Sequence, residues 1–548
     1  MAHDSHGPGS AELHDPETDP LATYVLEPDD VRPLLARVVA SPGAATHTSL
    51  APFTGAPIAA VPLSTPDDVV RAARAARAAQ RLWAARPVRD RTAVLSRFHD
   101  LLLERQSDVL DLIQLENGKA RVSAFEEICD IALVARHYAA RAGRYLAPRR
   151  AGGIVPGLTS VRVLRHPVGV VGIVAPWNFP LTLTIGDVLP ALVAGNAVIL
   201  RPDPQTALTA LWAAEQLEEA GLPAGLLQIV VGDGPSVGGA VVENVDHVSF
   251  TGSTRTGRVV AAQAGQRLVP ATLELGGKNP MYVAEDVDVE VVAEGAVRAS
   301  FVGTGQVCVS IERIYVREEV FEEFAEAFAR RTRELRIGSG LDYRFDVGSL
   351  TSAAQLATVV EHVEDAIGHG AAVLAGAVHR TDLGPWFYEP TILTDVPAEA
   401  RLAREETFGP VVALYRVASD DEAVAAMNDT EMGLTAFVWT ADTRRGTAIA
   451  ARVHAGSVNV NESYVAMWGS AAAPQGGVGA SGLGVRHGRE GLWEVTRLQT
   501  VAVQHGTHGL IGRRGPAIGL QRLYDLGPDT WPLVFTQGLR ALKALRLP

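Results

Sequence analysis

The chain has 548 residues, 47 % of them apolar and 20 % charged, with a formal net charge of −13. That length exceeds what one hydrophobic core supports, so two or three domains are expected, and the acidic balance argues against a nucleic-acid footprint. Two cysteines, Cys129 and Cys308, exclude a disulfide framework, and free thiols suit a reducing cytoplasm.

Residues 1–30 are rich in Asp, Pro, His and Gly, too poor in apolar groups to offset the entropy of ordering, and are expected to be a disordered tail. They lack the basic and apolar regions of a secretory signal, and no apolar run of about 18 residues marks a spanning helix. A helix is predicted to start at Thr65-Pro66-Asp67-Asp68. Thr65 can cap it, Pro66 suits its first position, and the acids favour the positive end of its dipole. More helix follows through Val94-Leu95, Leu101 to Leu103 and Val109 to Leu115, and Cys129 reads as core packing. Gly152, Gly153, Pro156 and Gly157 then break the pattern, and Ser160 to Arg165 alternates as a strand.

From Val168 the chain alternates apolar strand-like runs with helices. The runs are Val168–Val174, Ala197–Leu200, Leu227–Val231 and His247–Phe250, with a helix from Thr206 to Ala220 between two of them. This pattern predicts βαβ units and a buried parallel sheet, which binds ligands beyond the carboxyl ends of its strands. Trp177-Asn178, Arg201-Pro202 and Thr251-Gly252-Ser253 fall at those ends. After Glu274 a second α/β region is predicted, with strands at Ile311–Val316 and Val411–Tyr415 and a helix from Glu319 to Arg330. In the tail, Phe535, Leu539 and Leu542 fall at helical spacing beside Arg540, Lys543 and Arg546. Such a basic amphipathic helix is read as docking on the protein's own or a partner subunit's surface; a membrane surface is the competing reading.

The chemistry concentrates between Thr272 and Cys308. A thiolate is the strongest side-chain nucleophile once something helps it ionise, and Glu274, 34 positions before Cys308, is a candidate base. Alone, a cysteine is more often a small buried hydrophobe, and a glutamate beside glycines a solvated loop residue. The surrounding boxes change that. Glu274-Leu275-Gly276-Gly277-Lys278 and Phe301-Val302-Gly303-Thr304-Gly305-Gln306-Val307-Cys308 resemble, in type and spacing, two boxes of the aldehyde dehydrogenase superfamily. Three more match in order: Pro176 to Pro180, Phe250 to Thr254 and Glu406 to Pro410. The glycine-rich stretch Pro474 to Gly484 matches a further family turn, and the resemblance runs from about residue 30 to 503.

The resemblance implies an α/β fold. A Rossmann-like parallel-sheet cofactor domain would span residues 31–147 and 168–275, an α/β catalytic domain 276–493, and a small β oligomerisation arm 148–167 with 494–504. Residues 505–548 would form an extension of unassigned role. It implies a cytoplasmic homodimer or homotetramer that binds a small-molecule aldehyde, NADP or NAD, and no metal. Cys308 would attack the aldehyde and Glu274 would activate water, while the Asn178 amide and the Cys308 N–H receive the oxyanion. Glu406 would hold the nicotinamide ribose and Phe408 flank the ring. Pro176, Trp177, Arg201, Asp203, Pro204, Gly252, Ser253 and Gly276 would complete the cofactor site.

Several residues depart from common family patterns. Arg201 replaces a lysine, and Pro204 stands where many NAD-using members have a glutamate, which favours NADP. Asp203 is expected to face solvent between two prolines. Asp187 and Arg486 occupy positions that in some members hold a lysine and a glutamate, and Gly479 replaces a common lysine. Arg201 to Leu211, Ser310 to Tyr315 and Ser481 to Gly488 resemble the second type of bacterial succinate-semialdehyde dehydrogenase. Other such enzymes hold the substrate carboxylate with an arginine where this chain has Gly186, so the anchor is unassigned and a neutral aliphatic or aromatic aldehyde stays open. Acyl transfer to coenzyme A and a non-catalytic protein that keeps the fold are the remaining alternatives; intact Cys308, Glu274, Asn178 and Glu406 argue against the latter.

Overall fold

Five consecutive buried residues, Val170–Val174, form a central strand in the computed structural model, which describes residues 28–153, 159–504 and 527–544. Their sheet has six strands in the order Gly482–Leu483, Ala271–Glu274, His247–Thr251, Val170–Val174, Ala197–Arg201, Leu227–Ile229. All neighbours run parallel except the first pair. The central strands are buried from end to end, which is why they read as unbroken apolar runs rather than as alternation. Their shared direction brings Ala175-Pro176, Pro202, Gly252 and Leu275 to one edge.

A second sheet has seven strands. It runs Ala372–Ala375, Thr391–Thr394, Val411–Val417, Ile311–Arg317, Asn279–Val283, Thr435–Trp439, Ser457–Val460, parallel throughout except for the first pair. Its core gathers Phe301, Phe324, Phe328 and Phe437 with Met281, Ile314 and Val412. The helix expected from Glu319 forms over Phe321–Arg333. Upstream, the helix predicted at Thr65 forms over Pro66–Ala84. Thr65 and Asp68 cap it reciprocally, the hydroxyl accepting from the Asp68 N–H and the carboxylate from the Thr65 N–H.

Cys129 is a correction: it is exposed. On the helix Arg121–Tyr145 the buried residues Ala124, Glu127, Ile128, Ile131, Val134 and Ala135 follow three- and four-residue spacing, and Cys129 falls on the remaining face.

These elements lie in one compact unit, Met1–Ala142 with Val168–Val495; the other is Gly143–Pro167 with Thr496–Pro548. In the second unit Thr496–Gln504 pairs antiparallel with Thr159–Pro167, which also pairs with Arg149–Ala151. Its helix Trp531–Ala544 carries Phe535 and Leu542 half-buried and Leu539 exposed. Arg546, most of the expected disordered tail and residues 505–526 lie outside the described residues. Among the described residues no helix is long and apolar enough to cross a membrane.

Candidate active site

The helix Val289–Phe301 runs into the turn Val302–Gly305, where Gly303, Thr304 and Gly305 take φ of 56°, 60° and 69°. Gly305 is obligatory twice over, because a Cβ there would lie 2.1 Å from the Gly409 carbonyl oxygen. The reversal leads to Cys308, whose carbonyl accepts from Asn279 Nδ2 at 2.7 Å; the same amide nitrogen donates to Ser310 O at 2.7 Å.

Cys308 lines two cavities. One, of about 240 Å³, also takes Asn178, Pro176, Trp177 and Gly252 in its wall. Ser253, Gly276, Glu406 and Phe408 complete that wall, together with Leu183, Thr251, Leu275 and Gln355. The other, of about 80 Å³, holds Glu274 with Asp130, Asp187, Arg486 and His487. The thiol therefore stands where two separate spaces meet.

Two fully buried lysine–glutamate pairs hold the loops on either side. Lys119 Nζ donates to Glu127 Oε1 at 2.8 Å and to the Asn178 carbonyl at 2.7 Å, and lies over the Phe179 ring. Glu127 Oε2 accepts the Leu181 and Thr182 N–H groups at 2.8 and 3.0 Å. The Asn178 side chain is fixed in turn by donating to Gln306 O at 2.9 Å, which uses one of its two amide hydrogens. Across the site, Lys278 pairs with Glu312, whose carboxylate accepts from Thr407 N at 3.0 Å and Phe408 N at 3.0 Å. Gln355 Nε2 donates to the Phe408 carbonyl at 2.8 Å. This clamp holds Phe408 at a φ of 53°, unusual for a bulky residue, with its ring edge-on to Trp177 at 5.7 Å. Glu406 Oε1 accepts the Gly277 N–H at 2.8 Å.

Burial dominates the electrostatics. It pushes Glu274 up to about 8; nearby Arg486 opposes the shift and Asp187 adds to it. Glu406 rises to about 8 for the same reason, with Glu312 adding to it. Cys308 is raised to about 12 by burial and by the charges of Glu274 and Glu406, so at neutral pH it rests as a thiol. Glu274 Oε1 is buried without a hydrogen-bond partner among the described residues. Arg486 Nη2 donates to Asp187 Oδ2 at 2.8 Å and to the Thr251 hydroxyl, making an ion pair beside Glu274.

Comparison with known proteins places the chain in a family. The family model described as "Aldehyde dehydrogenase family" matches residues 39–501. The chain belongs to the aldehyde dehydrogenase family. A protein of Mycolicibacterium smegmatis named "Putative succinate-semialdehyde dehydrogenase", NADP(+) type, is 50 % identical over 493 residues, covering 90 % of this chain and 93 % of its own. Glutarate-semialdehyde dehydrogenase of Pseudomonas putida is 36 % identical, covering 82 % and 93 %. The crystal structure of an E. coli NADP-dependent enzyme superposes with a TM-score of 0.82 at 34 % identity, covering 85 % of this chain and 96 % of that one. The protein is thus an oxidoreductase of the aldehyde group with the aldehyde dehydrogenase fold.

The larger cavity fits the nicotinamide dinucleotide that this family implies. A Cβ on Gly276 would lie 2.2 Å from Glu406 Oε2, so only glycine lets that carboxylate lie against the backbone. Ser253 caps the helix Thr254–Gln266, whose first-turn N–H groups suit a phosphate. Arg201, Asp203 and Pro204 line neither cavity. The fork expected to meet a phosphate is turned to the Gly232 carbonyl, with Nε at 2.9 Å and Nη2 at 2.5 Å. Asp203 is not free in solvent. It accepts the Gln205 N–H at 3.0 Å as a turn cap and lies 3.8 Å from Arg201. Sequence reading missed Lys119, Glu127, Gln355 and the clamp role of Glu312. The available signal was charge inside otherwise apolar helices and strands, since Lys and Glu are rarely fully buried unless paired.

Gly276→Ala should displace Glu406 and weaken binding of the dinucleotide roughly tenfold or more, the typical worth of a hydrogen bond to a charged group. Fluorescence titration with the reduced cofactor measures this; unchanged affinity at an unchanged melting temperature removes Glu406 from the cofactor site.

Proposed function

We propose that this chain oxidises succinate semialdehyde to succinate through a Cys308 thioester, with NADP as the preferred acceptor and NAD as the alternative. One observation carries the reading: the Cys308 thiol sits between a cavity holding Glu274 and a cavity holding Glu406 and Phe408. The names of the mycobacterial and Pseudomonas relatives support an aldehyde that bears a carboxylate at its far end.

Glu274 takes the thiol proton, and the thiolate sulfur bonds to the aldehyde carbon. The carbonyl oxygen gains negative charge, which the remaining Asn178 amide hydrogen and the Cys308 N–H stabilise. Phe408 and Trp177 would hold the nicotinamide, which would supply a hydride acceptor, and Glu406 would take its ribose hydroxyls. Loss of the hydride from the adduct carbon to that acceptor re-forms the carbonyl as a thioester on Cys308. Glu274, having passed its first proton to solvent, takes a second from water, whose oxygen bonds to the acyl carbon. The carbon–sulfur bond breaks, the thiol is restored and the carboxylate leaves. Arg486 keeps a positive charge beside Glu274 through both proton transfers and favours its ionised form. Water, rather than coenzyme A, is the acyl acceptor that an intact Glu274 supports.

NADP preference is supported by the NADP(+) type of the mycobacterial relative and by the absence of an acid at Pro204; Arg201 is engaged by the Gly232 carbonyl, and the charge of Asp203 opposes a phosphate. Self-association into a homodimer or homotetramer is supported by Leu498, Val501 and Val503, which the strand Thr496–Gln504 leaves exposed. A catalytic free thiol suits the cytoplasm.

Cys308→Ala should abolish turnover with any aldehyde while cofactor binding persists. Glu274→Gln should give a slowed burst of reduced cofactor, because the thiol must then lose its proton to solvent, and then stall; steady wild-type turnover would contradict the assignment of the base. In the wild type the sign of the pH effect is fixed by the raised acid. Below about 8 Glu274 is protonated and cannot accept from water, so thioester hydrolysis should quicken as pH rises through that value. Single-turnover traces read this directly, and adding coenzyme A should not accelerate them. Steady-state kinetics on succinate semialdehyde should give a higher kcat/KM with NADP than with NAD. Asp203→Asn should widen that ratio about two- to fivefold, as for one partly screened charge. A ratio favouring NAD, narrowed by no change at Asp203, would exclude this account.

A further inference from the structure

One wall of the cavity beside Glu274 carries polar atoms that the reaction above leaves unused. Both carboxyl oxygens of Asp130 and the Thr182 hydroxyl are buried there with no hydrogen-bond partner among the described residues. Asp130 is 2 % exposed and Thr182 8 %. Buried polar groups of this kind are costly unless something satisfies them. The Thr182 backbone N–H is already taken by Glu127.

The surrounding charges define what that something is. The positively charged group in the cavity wall, Arg486, is committed to Asp187. Gly186, on the same wall, brings no side chain to an anion. Glu127 faces Asp130 from its own helix, neutralised by Lys119. Thr182 and Trp468 are its nearest polar neighbours and favour its ionised form, yet neither reaches hydrogen-bonding geometry. Glu274, Asp187 and His487 line the rest. Burial is the largest influence and holds the Asp130 acid up at about 7, with Glu127 raising it further and Arg486 opposing. In neutral solution a large share of Asp130 is therefore an O–H donor.

We propose that Asp130, with the Thr182 hydroxyl beside it, is the subsite for the distal carboxylate of the aldehyde substrate, held by O–H···O⁻ hydrogen bonds in place of an arginine. This deepens the reading of the site as one for a carboxylate-bearing aldehyde and rests on it. Hydrogen bonds from a neutral acid to a carboxylate are short and strong in a dry site. The bound anion in turn favours the protonated acid, so ligand and proton bind together.

The test compares succinate semialdehyde with butanal, the same chain length without the carboxylate, using the full-length enzyme. The readout is the ratio of their kcat/KM values, in which the Glu274 titration common to both cancels. In the wild type the ratio should favour the semialdehyde at pH 6 and fall above pH 7, through KM. Asp130→Leu should raise the semialdehyde KM roughly 10- to 100-fold, the worth of one hydrogen bond to a charged group. Its butanal kinetics should stay within about twofold on the same scale of reasoning, which also shows that the variant folds. Asp130→Asn keeps a donor, so it should hold the KM near the wild-type value at pH 6 and lose the decline above pH 7. If both variants lower the semialdehyde KM, Asp130 is an ionised group that repels the substrate and the proposal is overturned. An unchanged KM in Asp130→Leu overturns it too. A wild type that prefers butanal at every pH instead refutes the carboxylate-bearing substrate itself, before any variant is compared.

Discussion

Everything at the reaction centre hangs from two buried lysine–glutamate pairs, Lys119–Glu127 and Lys278–Glu312. Neither pair is an obvious source of stability, because removing two charges from water costs about as much as their attraction returns. What distinguishes them is how fully their remaining valences are used. Glu127 and Glu312 each accept backbone N–H groups from loops distant in sequence, and Lys119 donates to a loop carbonyl. The ions act as buried brackets, and the brackets decide where Asn178, Glu406 and Phe408 stand. Loss of one partner leaves an uncompensated charge, typically worth 3–5 kcal/mol, so both loops tolerate little drift.

That rigidity matters because the groups it positions are held in their less reactive protonation states. Burial keeps Cys308 a thiol and lifts Glu274 into the range where it can both take and release a proton near neutrality. A flexible site would admit water and return both groups to ordinary values. The Asp187–Arg486 pair moderates the effect on one side only, placing a cation that cannot deprotonate beside a carboxyl that titrates near neutrality.

Much of this was legible in the sequence, and the reasons are local. Parallel strands buried on both faces write themselves as runs such as Val170–Val174, and a capping box at Thr65 is a four-residue signal. Ordered boxes with fixed glycines pointed to Cys308, Glu274 and Glu406, which the structure brings to two adjoining cavities, because a turn at φ near 60° or a Cβ-free approach leaves few residue choices. Side-chain direction was not legible. Arg201 sits at the expected strand end, yet its fork turns to Gly232, and Asp203 curls back on its own turn. Cys129 was misjudged because a helix face is set by phase over several turns, not by the apolar neighbours on either side. The lysine–glutamate brackets join residues 8 and 34 apart to loops much further away, which no spacing within a motif announces.

Part of the wall of the cavity beside Glu274 comes from chain that the brackets do not hold: Ser457 from the edge of the second sheet, and Met467, Trp468 and Gln475 from the segment after it. A side chain can be exchanged at any of these places without moving the thiol, the base or the cofactor loop. Selection can therefore retune which aldehyde enters while the bond-making apparatus is inherited unchanged, and new specificities on this scaffold need not pass through inactive ancestors.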